Sequence, residues 1–176
     1  MPHIVLYIAT SVDGYIATPD GGVDWLPAID TGEADYGYDR FYAGIDALVM
    51  GRKTYEQVLT FGDWPYPGKP SYVMSRRQIE TKIPEVIITA SSPVELVSEL
   101  QQNHYQHLWL VGGAATAAAF RAENLITAYI LSIMPVLLGD GIPLFSRTEL
   151  QNGLTLTASE VFRSGVVQLT YEVDRN

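Results

Sequence analysis

Three apolar runs in the chain end in residues suited to holding an anion. Ala47-Leu48-Val49-Met50 meets Gly51-Arg52-Lys53-Thr54, Ser71-Tyr72-Val73-Met74 meets Ser75-Arg76-Arg77, and His107-Leu108-Trp109-Leu110-Val111 meets Gly112-Gly113. Exposed N–H groups and basic side chains gather where strands stop, so three such junctions on strand-like segments point to one phosphate-rich ligand across the ends of a sheet. That ligand class is a nucleotide cofactor. Arg52 offers a planar fork for a phosphate, and the Thr54 hydroxyl with helix-start N–H groups suits a diphosphate. Arg-Lys at a helix N-terminus opposes the helix dipole unless an anion sits there. The competing readings are a solvated helix start, a charged loop and a plain strand-to-helix turn.

The chain has 176 residues, 47% of them hydrophobic, which is enough apolar material for one core. A single domain over residues 1–176 is expected. A formal net charge of −9 argues against nucleic acid or an anionic membrane as partner. Yet Arg52, Lys53, Arg76 and Arg77 are four of the eleven Lys and Arg residues, so positive charge concentrates at two of the junctions. With no cysteine, disulfides, thiolate metal sites and a cysteine nucleophile are excluded. His3, His104 and His107 lack ligand spacing, and no metal site is expected. No signal peptide or membrane-length apolar run is visible, which leads to the expectation of a cytoplasmic enzyme.

The elements that must position these residues follow from periodicity. Residues 3–9 read as a central strand buried on both faces, followed by a long Gly- and Asp-rich loop from Thr10 to Gly32. Ala34–Ala43 reads as a short helix turning Tyr38, Phe41 and Tyr42 inward, and Thr54–Leu59 as one or two helical turns. Strands are expected over 46–50, 71–75, 85–89, 107–111 and 128–134, with helices over 93–102 and 114–122. Leu154–Phe162 and Val166–Val173 flank Arg163-Ser164-Gly165, a hairpin signal. The sum is an α/β fold: a mainly parallel eight-stranded sheet closed by a C-terminal antiparallel hairpin.

Ser11-Val12-Asp13-Gly14-Tyr15-Ile16-Ala17, Gly51-Arg52-Lys53-Thr54-Tyr55-Glu56, Val111-Gly112-Gly113-Ala114 and Pro135-Val136-Leu137-Leu138-Gly139-Asp140-Gly141-Ile142-Pro143-Leu144-Phe145 occur in that order. Together they resemble the dihydrofolate reductase-like superfamily, in its branch of riboflavin-biosynthesis reductase domains (the C-terminal part of a bifunctional deaminase-reductase) and their stand-alone members. The resemblance runs from Ile4 to Val173 and implies the superfamily's three-layer fold. It also implies NADPH as cofactor, with Arg52, Lys53, Thr54 and Gly51 at the diphosphate and Ser75, Arg76 and Arg77 at the 2′-phosphate. Val111, Gly112, Gly113, Ala114, Ala115 and Thr116 would pass close to the cofactor, and Ala9 and Ile16 would line the nicotinamide. No G-x-G-x-x-G follows the first strand, which argues against a Rossmann domain.

At the reacting end the resemblance makes Asp13 an acid/base or orienting group and Asp35 a residue at the pterin-pairing position of dihydrofolate reductases. Asp39 follows one turn later, and Trp25 would close over the substrate. The bland alternatives are a turn residue for Asp13, solvent-facing helix residues for Asp35 and Asp39, and a loop anchor for Trp25. The substrate half departs from the riboflavin pattern, with Tyr15 in place of its Lys and Tyr38-Asp39-Arg40-Phe41-Tyr42 in place of a His- and Arg-bearing helix. The implied activity is NADPH-dependent reduction of a small heterocycle, resembling the reductase of 5-amino-6-(5-phosphoribosylamino)uracil. Dihydrofolate reductase proper and a non-catalytic NADP-binding protein are the alternatives. A homodimer is expected from the apolar C-terminal segments 130–138 and 154–173.

Overall fold

The computed structural model of the chain describes residues 1–26, 35–146 and 151–174. In chain order its elements are β1 (His3–Ser11), β2 (Tyr15–Ala17), α1 (Tyr38–Ala43), β3 (Ala47–Gly51), α2 (Arg52–Val58), β4 (Ser71–Met74) and β5 (Val86–Thr89). There follow α3 (Pro93–Gln102), β6 (His107–Gly112), α4 (Ala114–Ala122), β7 (Ala128–Met134), β8 (Ile142–Pro143), β9 (Leu154–Val161) and β10 (Val167–Val173). One sheet has the order β5-β4-β3-β6-β1-β7-β10-β9, parallel through β7 and antiparallel at β10 and β9. This is the dihydrofolate reductase-like fold expected from the sequence.

Side-chain alternation divides the core into two layers. Ile4, Leu6, Ala47, Val49, Leu108 and Leu110 face one side, where Leu96, Val97 and Leu100 of α3 and Ala117 and Phe120 of α4 cover them. Leu48, Met50, Val73 and Trp109 face the other side with Tyr55 and Val58 of α2, and Tyr38, Phe41 and Tyr42 of α1 pack against that layer. Each strand that alternates in this way is buried on both faces, which is why its sequence reads as a continuous apolar run.

Three expectations need correction. Helix α1 starts at Tyr38 rather than Ala34, because Tyr36 and Gly37 take left-handed backbone, at φ +53° and +75°, that no right-handed helix continues through. Helix α2 starts at Arg52 rather than Thr54, so Arg52 and Lys53 lie in its first turn, because Gly51 leaves the strand in extended backbone and acts as N-cap. The stretch after β1 is not all loop, since Tyr15–Ala17 pairs with Ile142–Pro143 in a second, antiparallel sheet. That pairing is invisible to local periodicity because its halves lie more than a hundred residues apart. Gly141 permits it, since a Cβ there would overlap the Ala17 carbonyl oxygen. Ala34 and residues 27–32 of the expected loop lie outside the described residues.

Candidate functional site at the β3–β6 edge and the adjoining cleft

The three anion-suited junctions fall side by side. β4, β3 and β6 are successive parallel neighbours, with Gly51 opposite Met74 and Met50 opposite Gly112, so Gly51, Ser75 and Gly112-Gly113 all sit at the carboxyl edge. From that edge α2 packs on one face of the sheet and α4 on the other. Adjacent strands whose following helices diverge form a crevice, the usual ligand position in an open α/β sheet.

Close approach across this crevice requires glycine. A Cβ on Gly51 would overlap the Thr116 hydroxyl, one on Gly113 would come within 3.3 Å of Thr54 Oγ1, and one on Gly112 within 3.2 Å of Ile8 Cδ1. Gly112 has φ +129°, a conformation that side-chain-bearing residues rarely adopt, and its bond to Gly113 is cis. Thr54 and Thr116 thus face each other's strand end from the first turns of α2 and α4. Neither helix has a side-chain N-cap hydrogen bond, whereas α3 closes its own N-terminus with a capping box between Ser92 and Glu95. Helix starts left uncapped at a shared edge suit a diphosphate, with Gly51 and Gly113 giving it backbone access.

The basic groups surround this cradle. Arg52 is folded back along α2 in a two-oxygen ion pair with Glu56, at 2.6 and 2.8 Å. Lys53, Arg76 and Arg77 are exposed, and the Ser75 hydroxyl organises the turn after β4 by donating to the Arg77 carbonyl and accepting from the Arg77 N–H. Among the described residues no ion pair engages Arg76 or Arg77.

Beside the crevice, on the α1 face, lies a cleft of about 520 Å³. Ala9 is on its wall with Tyr7, Trp109, Ser132 and Met134, while Leu26, Asp35, Tyr36 and Tyr38 form its outer side. Its polar fittings come from distant strands. Tyr7 donates its hydroxyl to the Tyr36 carbonyl (3.1 Å), and Gln168 Nε2 donates to Tyr7 Oη (3.0 Å), the Tyr36 carbonyl (3.1 Å) and Ser132 Oγ (3.2 Å). Burial raises the Tyr7 phenol above its ordinary pKa and pushes Tyr38 up to about 12, so both keep their protons at neutral pH. Tyr36, held at φ +53°, also reaches the C-terminal hairpin through Ser164 (3.1 Å) and an edge-to-face contact with Phe162. Trp109 anchors the aromatic floor with edge-on contacts to Tyr38, Phe41, Tyr42 and Tyr66.

Of the residues singled out at the reacting end, Ala9 and Asp35 line this cleft. Asp35 is exposed at the rim, where it accepts from the Gly37 and Asp39 N–H groups, and these hold its carboxyl below the usual range. Asp39 is exposed on α1. Asp13 lies away from the wall: it accepts from the Ser11 hydroxyl (2.6 Å), Leu138 N–H (3.1 Å) and Gly139 N–H (2.7 Å), fastening the turn after β7 to the turn after β1. The Ser11 bond above all lowers its pKa, so the carboxylate is ionised and committed. Ile16 packs against the main core, and half-buried Trp25 has a buried indole N–H with no hydrogen-bond partner among the described residues. Tyr7, Trp109, Ser132 and Gln168 were not singled out from sequence. Ser132, the one aliphatic hydroxyl in the apolar run Ala128–Met134, carried a readable signal.

Residues 2–168 match the profile of the RibD C-terminal domain. The chain belongs to that family. Uncharacterized protein YwjB of Bacillus subtilis is 36% identical over 168 residues, covering 95% of each chain. A crystal structure of a Shewanella sp. PV-4 protein, assigned in its description to riboflavin biosynthesis, superposes with a TM-score of 0.90 at 35% identity, covering 99% of this chain and all of that one. Dihydrofolate reductase of Enterococcus faecalis, in complex with NADP(H), shares the fold with a TM-score of 0.70 at 15% identity, covering 98% and 97%. Among the described residues no group of three or more His, Asp or Glu side chains is placed to hold a metal ion, and no helix is long and apolar enough to cross a membrane.

Proposed function

We propose that the chain is an NADPH-dependent reductase of a small heterocycle, of the pyrimidine or pterin kind. The observation that carries this reading is the β3–β6 crevice, a glycine-floored, uncapped pair of helix starts that opens beside a 520 Å³ aromatic cleft. When bound, the cofactor supplies hydride. Thr54, Thr116 and the first-turn N–H groups of α4 would hold its diphosphate, with Lys53 and the Glu56-paired Arg52 adding charge at the start of α2. Ser75, Arg76 and Arg77 hold its 2′-phosphate, while Ala9 leaves room for the ring that faces the substrate. Tyr38 packs against the substrate above the buried Trp109 floor, and Tyr7 with Ser132 orients its polar edge. Asp13 acts as a positioning residue by fixing the loop after β7.

The presence of Asp35 on the cleft wall favours dihydrofolate as the second substrate to try. We also place the protein in the cytoplasm as a homodimer. Leu154, Leu156 and Val161 are exposed on the edge strand β9, whose whole length is exposed, and a second copy would cover that edge.

The test is titration of the protein with NADPH and NADH, then NADPH oxidation with dihydrofolate and with the ribosylaminopyrimidine of the riboflavin pathway. The expected result is tighter binding of NADPH, with about tenfold loss of that preference in Arg76→Ala/Arg77→Ala. Equal binding of both cofactors in the unaltered chain would overturn the 2′-phosphate assignment. Tight NADPH binding without oxidation of either mixture would move the reading to a non-catalytic NADP-binding protein.

A further inference from the structure

The cleft and the cofactor edge carry opposite charge. Of the described residues around its outer lining, Asp24 stands two positions before Leu26, and Asp39 comes four positions after Asp35. Among the described residues no cationic side chain lines the cleft, and Asp35 is the one acidic residue that does. Arg40 on α1 and Arg163 in the hairpin turn are the nearest cations along the flanking segments, and both are exposed and off the wall. The remaining polar fittings, Tyr7, Tyr38, Ser132 and the Gln168 amide beside them, are neutral.

We infer that the cleft takes a planar heteroaromatic ring system that is uncharged or cationic and bears no phosphate. A phosphate dianion leaving water needs cationic or multiple N–H partners in contact with it, and a carboxylate at the rim adds repulsion. A flat neutral ring leaves water at less cost than a phosphate dianion, meets the half-buried Tyr38 ring above the Trp109 floor, and finds hydroxyls along its edge. A cationic ring gains from Asp35 as well. The inference deepens the proposed reductase reading and rests on it for the position of the reacting ring. It separates this chain from a reductase whose substrate carries a phosphoribosyl group.

A matched pair tests it: 5-amino-6-(ribosylamino)uracil and its 5′-phosphate, each titrated into the full-length protein with NADP⁺ present. Quenching of tryptophan fluorescence reads binding, and NADPH oxidation in a parallel assay reads turnover. The expected result is at least about tenfold tighter binding of the unphosphorylated member, with the gap narrowing in Asp35→Asn/Asp39→Asn and widening at low ionic strength. Equal or tighter binding of the phosphate would overturn the inference, and so would an absence of quenching by both members. A gap unchanged in the double variant would overturn its electrostatic basis. NADPH affinity, measured separately from the nucleotide's own fluorescence, reports on the reductase reading: loss of NADPH binding with the pair still distinguished sinks that reading and leaves the charge selection standing.

Discussion

The β3–β6 edge and the neighbouring cleft are built from different materials. The edge consists largely of backbone: glycines where any side chain would collide and helix starts without caps, with basic residues within a few positions of the β3 and β4 ends. The cleft consists of side chains brought from β1, β6, β7, β10 and the entry to α1, joined by hydrogen bonds that span up to 161 residues of sequence. A ligand recognised by backbone is held by the fold itself. A ligand recognised by assembled side chains can be changed by a few substitutions, so relatives with one edge can differ in what they reduce.

If the contrast holds, damage to one region leaves the other intact. The largest effect is expected from Gly51→Ala, whose methyl group would overlap the Thr116 hydroxyl: stability falls by about 1–3 kcal/mol and NADPH binding is lost. Thr116→Ala in the same chain should restore most of the stability, read by urea unfolding, and a failure to restore it would show that Gly51 is needed for another reason. Next comes Gln168→Leu. It removes the donor shared by Tyr7, the Tyr36 carbonyl and Ser132, costs about 1–3 kcal/mol, and lowers turnover while NADPH affinity stays within about twofold. A parallel loss of NADPH affinity would mean that the two regions are one unit.

Asp13→Asn should have the smallest effect, and one that depends on pH. The Asp13 carboxyl titrates below its ordinary value in the folded chain, so its stabilisation is present above the unfolded pKa of about 4 and fades as pH falls through the folded value. The variant should therefore melt lower than the unaltered chain at pH 7, and the gap should narrow as pH falls below the carboxyl's ordinary value. A gap that does not change with pH through the acid range would assign the loss to packing rather than to the ionised hydrogen bonds with Ser11, Leu138 and Gly139.

The same contrast explains what the sequence makes legible. Strand and helix positions follow from local alternation and caps, as in α3, where Ser92, Pro93 and Glu95 mark the start directly. The anion-suited edge is legible too, because each of its parts is a contiguous group, although the uncapped Arg52 start two residues early changes which side chains share the first turn. Tyr7 and Trp109 read as ordinary apolar-run residues, and Gln168 as a surface residue of a hairpin strand. Only the order β6-β1-β7-β10 brings them together. Asp13 shows the reverse case: a residue type suited to catalysis, in a familiar motif, spends both carboxylate oxygens on its neighbours.

The central claim is that the β3–β6 edge holds NADPH with its reacting ring turned into the aromatic cleft. A crystal structure of the NADPH complex tests it most directly. The account predicts the diphosphate between Gly51 and the Ala114–Thr116 N–H groups, the 2′-phosphate at Ser75–Arg77, and the nicotinamide beside Ala9. A diphosphate bound away from Gly51 and Gly113, or a nicotinamide on the side of the sheet opposite Trp109, would contradict it.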